Sequence, residues 1–159
     1  MKFRAEVEEA GRLLAATRWL ALATLDERGA PSLSYVPFAA YAGTFGIVVS
    51  GLAAHTANLR ARPASVSVLV VADEREAPGD PYACTRLSVA AGAQLQPRDG
   101  PAAAAIWTAL ERRHGATVQT LRTLPDFEAF ALTPAAGRLI LGFASAHDLD
   151  AGELGALLR

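Results

Sequence analysis

The sequence predicts a mainly β fold, a small antiparallel barrel with helical additions, and three observations predict it. Short apolar runs at 19–25, 32–41 and 44–50 follow one another through tight polar turns, which is the pattern of a meander. The stretch 85–96 alternates cleanly, with Leu87, Val89, Ala91, Ala93 and Leu95 on one face and Arg86, Ser88, Ala90, Gly92, Gln94 and Gln96 on the other. Helical patterns sit only at the ends and in the spaces between strand runs.

In chain order, residues 4–17 read as a helix, because Val7, Ala10, Leu13 and Leu14 share one face and the acids lie elsewhere. The strand at 19–25 ends in the turn Asp26-Glu27-Arg28-Gly29. Pro37 interrupts the second strand and marks an edge, a bulge or a bend. Ala42-Gly43 turns the chain into the third strand. Residues 53–61 have helical composition and Pro63 ends them. The run at 65–71 is apolar throughout and reads as a strand buried on both faces. Charge, two prolines and a glycine make 73–81 an exposed loop. Asp99-Gly100-Pro101 starts a helix that Gly115 closes, and 118–124 forms a short second one. Two strands are expected at 126–132 and 138–143 around a turn at 134–137, and a terminal helix over 150–159. The total is six or seven strands and three or four helices.

Composition limits the partners. The chain has 159 residues, 52% apolar and 19% charged, enough for one folded domain over 1–159. Fifteen basic against sixteen acidic residues leave a net charge of −1, which gives no reason to expect nucleic acid or an anionic membrane. No apolar run approaches the roughly 18 residues of a membrane helix. The start of the chain turns acidic too early for a secretory signal, so the expected location is the cytoplasm. Cys84 is the sole cysteine, too few for an internal disulfide or a cysteine-based zinc site, and it reads as a buried small hydrophobe. His55, His114 and His147 show no metal-ligand spacing. Trp19 and Trp107 read as core, and His147-Asp148 as an exposed pair.

The candidate chemistry concentrates at 50–59. There a strand ends at Ser50, Gly51 permits a tight turn, Leu52 follows, and a helix begins with His55, Thr56 and Asn58 in its first turns. Free N–H groups and partial positive charge at a helix start make a phosphate site, to which the Ser50, His55 and Thr56 side chains add donors. The same residues also suit a plain cap, and on the residues alone both readings stand. Arg86 stands on the polar face of its strand. It either points into the barrel and needs an anionic partner, or faces solvent. Ser34, Tyr35 and Val36 precede Pro37, where weakened pairing either frees backbone groups for a planar heterocycle or marks a bend.

Ser34-Tyr35-Val36-Pro37, the run from Ile47 through Ser50-Gly51-Leu52-Ala53-Ala54-His55-Thr56-Ala57-Asn58-Leu59, Arg86-Leu87-Ser88 with Gly92-Ala93, Leu124-Pro125-Asp126-Phe127 and Gly142-Phe143 carry a resemblance. Together they resemble the pyridoxamine 5′-phosphate oxidase-like superfamily, most closely its haem-utilisation branch, over about residues 14–149. The resemblance implies a six-stranded antiparallel split barrel of the FMN-binding type, a homodimer with the cofactor at the subunit interface. By position it places Ser50, Gly51, Leu52, His55, Thr56 and Asn58 at the phosphate and ribityl chain, Ser34, Tyr35 and Val36 along the isoalloxazine, and Arg86 towards the phosphate. Relatives often carry Arg where this chain has Gly51, a charge-assisted bond worth about 1.5–3 kcal/mol where it forms. Haem-degrading members have extra terminal segments that help ligate iron. This chain stops at Arg159 without a clear axial ligand, His147 remaining a candidate. The implied function is a flavin-dependent oxidoreductase on a small molecule, with unnamed catalytic residues. The alternatives are haem binding or breakdown on the same barrel, and a non-catalytic flavin-binding dimer.

Overall fold

The computed structural model describes residues 4–159; the first three residues of the acidic N-terminal stretch lie outside them. Helix α1 (Ala5–Ala16) buries Val7, Ala10, Leu13 and Leu14, the face its periodicity predicts. Strands β1 (Trp19–Leu25) and β2 (Pro31–Pro37) form a hairpin. At its tip the Asp26 carboxylate accepts from the Arg28 and Ala30 N–H groups at 2.9 and 2.8 Å. Strands β3 (Ala39–Tyr41) and β4 (Thr44–Ser50) follow, then α2 (Ala54–Ala61), β5 (Val66–Val71) and β6 (Arg86–Leu95). After α3 (Pro101–His114) and α4 (Ala116–Arg122) come β7 (Phe127–Gly142), β8 (Ser145–Asp150) and α5 (Ala151–Leu157).

All strands join one antiparallel sheet in the order β2-β1-β5-β6-β7-β4-β3, with β8 added alongside β7. β2 and β3 are separated by Phe38 alone, yet they occupy opposite ends of this path. The sheet must therefore curl until its two edges meet at Phe38, which is fully buried and packs edge-on against Phe45 with ring centroids 5.5 Å apart. The result is a mixed α/β fold built on a curled half-barrel. Helices hold a larger share than a mainly β fold implies, because α1, α2 and α5 each add a side chain to the barrel core.

Eight strands replace the six or seven expected, for identifiable reasons. The second predicted strand divides at Phe38, just past the ladder-weakening Pro37. The two strands predicted around a turn at 134–137 are one strand, β7, with a register shift opposite Ala90 and Ala91. A bulge there absorbs Pro134, which has no N–H to give the ladder. Strand β8 escapes sequence reading because only Leu149 in it is buried.

Helix α3 packs on the outer face of β3, β4 and β7 through Ala103, Ile106, Trp107 and Leu110. Gly46 allows this approach, since a Cβ there would lie 3.2 Å from the Ile106 side chain. No helix among the described residues covers the outer face of β2, β1 and β5 in the same way, and that face stays open and apolar: Leu33 is 75% exposed, Tyr35 61%, Trp19 37% and Leu69 37%. Two expectations are thereby corrected. β5 buries one face rather than two, and Trp19 is an outer-face residue stacked on Tyr35, with centroids 4.7 Å apart, whereas Trp107 is core as expected. Cys84 is buried, as its apolar reading requires.

Candidate functional site

The turn from β4 into α2 is held by its own side chains. The Ser50 hydroxyl donates to Asp126 Oδ2 at 2.6 Å and accepts the Leu52 N–H at 3.2 Å. The Gly51 N–H donates to the Asp126 carbonyl at 2.6 Å, and a Cβ at Gly51 would lie only 2.9 Å from that same oxygen. Residue 51 is thus small because the strand that starts at Phe127 is reached through a backbone pressed against it. Thr56 is fully buried and its hydroxyl donates to the Ser50 carbonyl at 2.6 Å. Asn58, also buried, donates to the Thr24 hydroxyl at 3.0 Å, which ties α2 to β1. Leu52 is fully out in solvent. His55 is half-buried, and that burial pushes its imidazole below the usual histidine value.

A cavity of about 380 Å³ opens beside Gly51, walled by Arg60, Arg98, Trp107, Asp126 and Glu128. Arg60 reaches from the last turn of α2 to within 3.6 Å of the position a Gly51 Cβ would take, and it forms an ion pair with Glu128 Oε1. Glu128 Oε2 is buried without a hydrogen-bond partner. Arg98 donates to the Leu124 carbonyl at 3.2 Å and to that of Pro125. Two cations and two acids therefore face one another here. The sequence places Asp126 at the start of a strand and in one of the runs that carry the family resemblance, without a role in the 50–59 turn. Its contact with Ser50 spans 76 positions, a separation that no local pattern announces.

The remaining candidates lie elsewhere. Along β2, Val36 is buried and the Ser34 hydroxyl, on the same inward side, is buried without a hydrogen-bond partner, while Tyr35 points out onto the open face. Arg86 sits on the outer side of β6, opposite to Leu87, and so does not point into the barrel. It also lies far from Ser50 within one chain. Arg86 pairs with Ile140 at one end of the β6–β7 ladder and Leu95 with Phe130 at the other, about 30 Å away at strand spacing. Its guanidinium donates to the Cys84 carbonyl at 3.1 Å and, among the described residues, has no carboxylate within salt-bridge reach. A groove of about 900 Å³ runs beside it, with Val71, Pro81 and Tyr82 among its apolar lining and Glu74, Arg75 and Asp80 among its charged lining. His147 is not an exposed pair with Asp148: its Nε2 lies 3.0 Å from the Ser145 hydroxyl and its Nδ1 3.7 Å from Glu6, while Asp148 pairs with Arg138.

The pyridoxamine 5′-phosphate oxidase family model matches residues 7–141, almost the whole of the barrel just described. The chain belongs to this family. Within it, the chain is 33% identical over 135 residues to the heme oxygenase HutZ of Vibrio cholerae, covering 85% of this chain and 76% of that protein. The crystal structure of HutZ from the same organism, described there as a heme storage protein, superposes with a TM-score of 0.74 at 31% identity over 80% of this chain and 88% of that one. A heme binding protein from Mycobacterium smegmatis superposes with a TM-score of 0.85 at 28% identity, and Campylobacter jejuni ChuZ with 0.85 at 24%. These matches cover 98% and 96% of this chain but only 62% of each of those longer proteins. The split-barrel fold is common to all of them.

The FMN implied by the sequence resemblance and the haem named for these relatives fit the molecule differently. An FMN phosphate needs free donors and positive charge, whereas the Ser50, Thr56 and Asn58 side chains are spent on internal bonds, Ser50 on the acid Asp126. A planar apolar macrocycle with acidic edges needs an apolar wall and a cation, and the groove beside Arg86 offers Val71, Pro81 and Tyr82 and a guanidinium outside any salt bridge, with Glu74 and Asp80 also in its lining.

Proposed function

We propose that this chain is a haem-binding split-barrel protein that works as a homodimer. The similarity to HutZ over 85% of the chain carries this reading. Two features of the molecule support it. Arg86 offers a guanidinium outside any salt bridge to a carboxylate-bearing ligand, with Val71 and Tyr82 as the apolar walls that keep water from its faces. The open face formed by Trp19, Leu33, Tyr35 and Leu69 is the kind of contiguous apolar patch that a second copy covers.

Bound haem supplies a redox-active iron. The chain's part is to hold the acidic edge through Arg86 and to shield the macrocycle. The test is the absorbance spectrum of the purified dimer during titration with haem. The expected result is a shifted Soret band that saturates at a fixed stoichiometry, weakened about tenfold or more in Arg86→Met. An unshifted Soret band refutes the reading. Oxygen-dependent loss of that band with a reductant present would extend the proposal to haem breakdown. The family itself motivates a second reading, an FMN-dependent oxidoreductase on a small molecule, and the same spectrum separates it by its flavin bands.

A further inference from the structure

We infer that Asp126 occupies, from within the chain, the place a ligand phosphate would take at the β4–α2 turn, so that this turn is closed to FMN. The inference rests on the hydrogen bonds of the turn and is independent of haem binding. A phosphate bound at the start of a helix is held by hydroxyl donors, by free N–H groups and by a nearby cation. The hydroxyls are taken, most of the N–H groups are taken, and the cations stand among acids. The Ser50 hydroxyl gives its proton to Asp126 Oδ2 at 2.6 Å, and the Thr56 hydroxyl gives its own to the Ser50 carbonyl, also at 2.6 Å. The N–H groups of Gly51, Leu52, Ala53, Thr56 and Ala57 donate to Asp126, Ser50 or Ala53 oxygens within the turn. Among the described residues that leaves the N–H groups of Ala54 and His55.

Of the nearby cations, Arg60 is paired with Glu128. Arg98 is held by the Leu124 and Pro125 carbonyls, and its charge shares the cavity with the acids Asp126 and Glu128. A doubly charged phosphate entering the turn would meet the Asp126 carboxylate at hydrogen-bond distance from the hydroxyl it needs, with Glu128 behind it. Gly51 completes the arrangement. The approach of the Asp126 carbonyl, which a Cβ at position 51 would meet at 2.9 Å, bars the side chain that would bring in a further cation. Asp126 thus acts as a specificity determinant, occupying the Ser50 hydroxyl from within the chain.

The test compares FMN with riboflavin, which lacks the phosphate, by flavin fluorescence quenching on the full chain. Wild type should bind FMN no more tightly than riboflavin. Asp126→Ala frees the Ser50 hydroxyl and removes the charge, and should raise FMN affinity about ten- to a hundredfold while leaving riboflavin unchanged. Asp126→Asn, which keeps the shape of the side chain, should give a smaller gain in the same direction and serves if the alanine variant does not fold. A wild-type preference for FMN over riboflavin overturns the inference, and so does an unchanged FMN affinity in a folded Asp126 variant. Haem titration of the same variants reads the proposed function separately, so failure of one leaves the other standing.

Discussion

Replacing Thr56 by Val separates a structural role for the 50–59 motif from a ligand-binding one. Thr56 is fully buried, and its hydroxyl donates to the Ser50 carbonyl at 2.6 Å. Valine keeps the shape and removes the donor. The Ser50 carbonyl is not stranded by the change, because it still accepts the Ala53 N–H at 3.1 Å. The loss is one neutral hydrogen bond, a net 0.5–1.5 kcal/mol or so, offset in part by the methyl group that replaces the hydroxyl. We expect Thr56→Val to be destabilised by about 1 kcal/mol, a fall in Tm of about 2–4 °C for a chain of this size. Thr56→Ala also removes a methyl and should cost about 2 kcal/mol. Urea unfolding followed by tryptophan fluorescence gives both values, and haem and FMN titrations are run on the same samples. Unchanged stability with a tenfold loss of ligand affinity would refute the structural role.

Arg113 donates to the carbonyls of Leu14, Ala15 and Thr17 at the end of α1 and lies 4.7 Å over the Phe38 ring. Arg113→Met should therefore cost about 2–4 kcal/mol, read as a lower urea midpoint, with Lys restoring only part of it. His114 is held below its ordinary value of 6.5 by burial first and then by Arg18 and Arg113, against the pull of the Phe38 carbonyl. The unfolded chain thus takes up the proton first, so stability present above pH 6.5 should decline as pH falls from there and level off once the folded imidazole is also protonated. His55, lowered by burial alone, acts in the same direction, and the double variant His55→Gln with His114→Gln should flatten the urea midpoint across that range. In the proposed homodimer, Leu33→Asp with Tyr35→Asp places charge on the open face and should halve the mass seen by sedimentation; an unchanged mass would refute a dimer contact on that face.

Local patterns carried the reading where a residue's neighbours in sequence are also its neighbours in the fold. The α1 face appears in the structure as read, and the alternation of β6 holds from Arg86 to Ala91 but not to its end, where Leu95 is exposed. The approach of Asp126 to Ser50 depends on the β4–β7 pairing, whose register only the assembled sheet defines. The orientation of Arg86 illustrates a different limit. Alternation shows that it opposes Leu87, but which face is the interior depends on how the whole sheet curls. β8 stayed hidden because a strand added outside the barrel path has little apolar surface to bury. The motif at 50–59 was visible as a unit. Whether its polar side chains serve a ligand or one another is decided by bond partners that sequence does not display.

The seam at Phe38 turns the barrel into a parity problem. Val36 and Phe38 face the core, Ala39 and Tyr41 face α3, and the in–out alternation passes unbroken from one edge of the sheet to the other. A single residue inserted between Pro37 and Ala39 would leave the two edges out of phase. Either β2 would turn Leu33 and Tyr35 inward, or β3 and β4 would turn Phe45 and Ile47 out. An insertion of two residues preserves the phase and adds only slack. The hairpin tip at Asp26 closes no such circuit, so there the chain can lengthen by odd or even numbers alike.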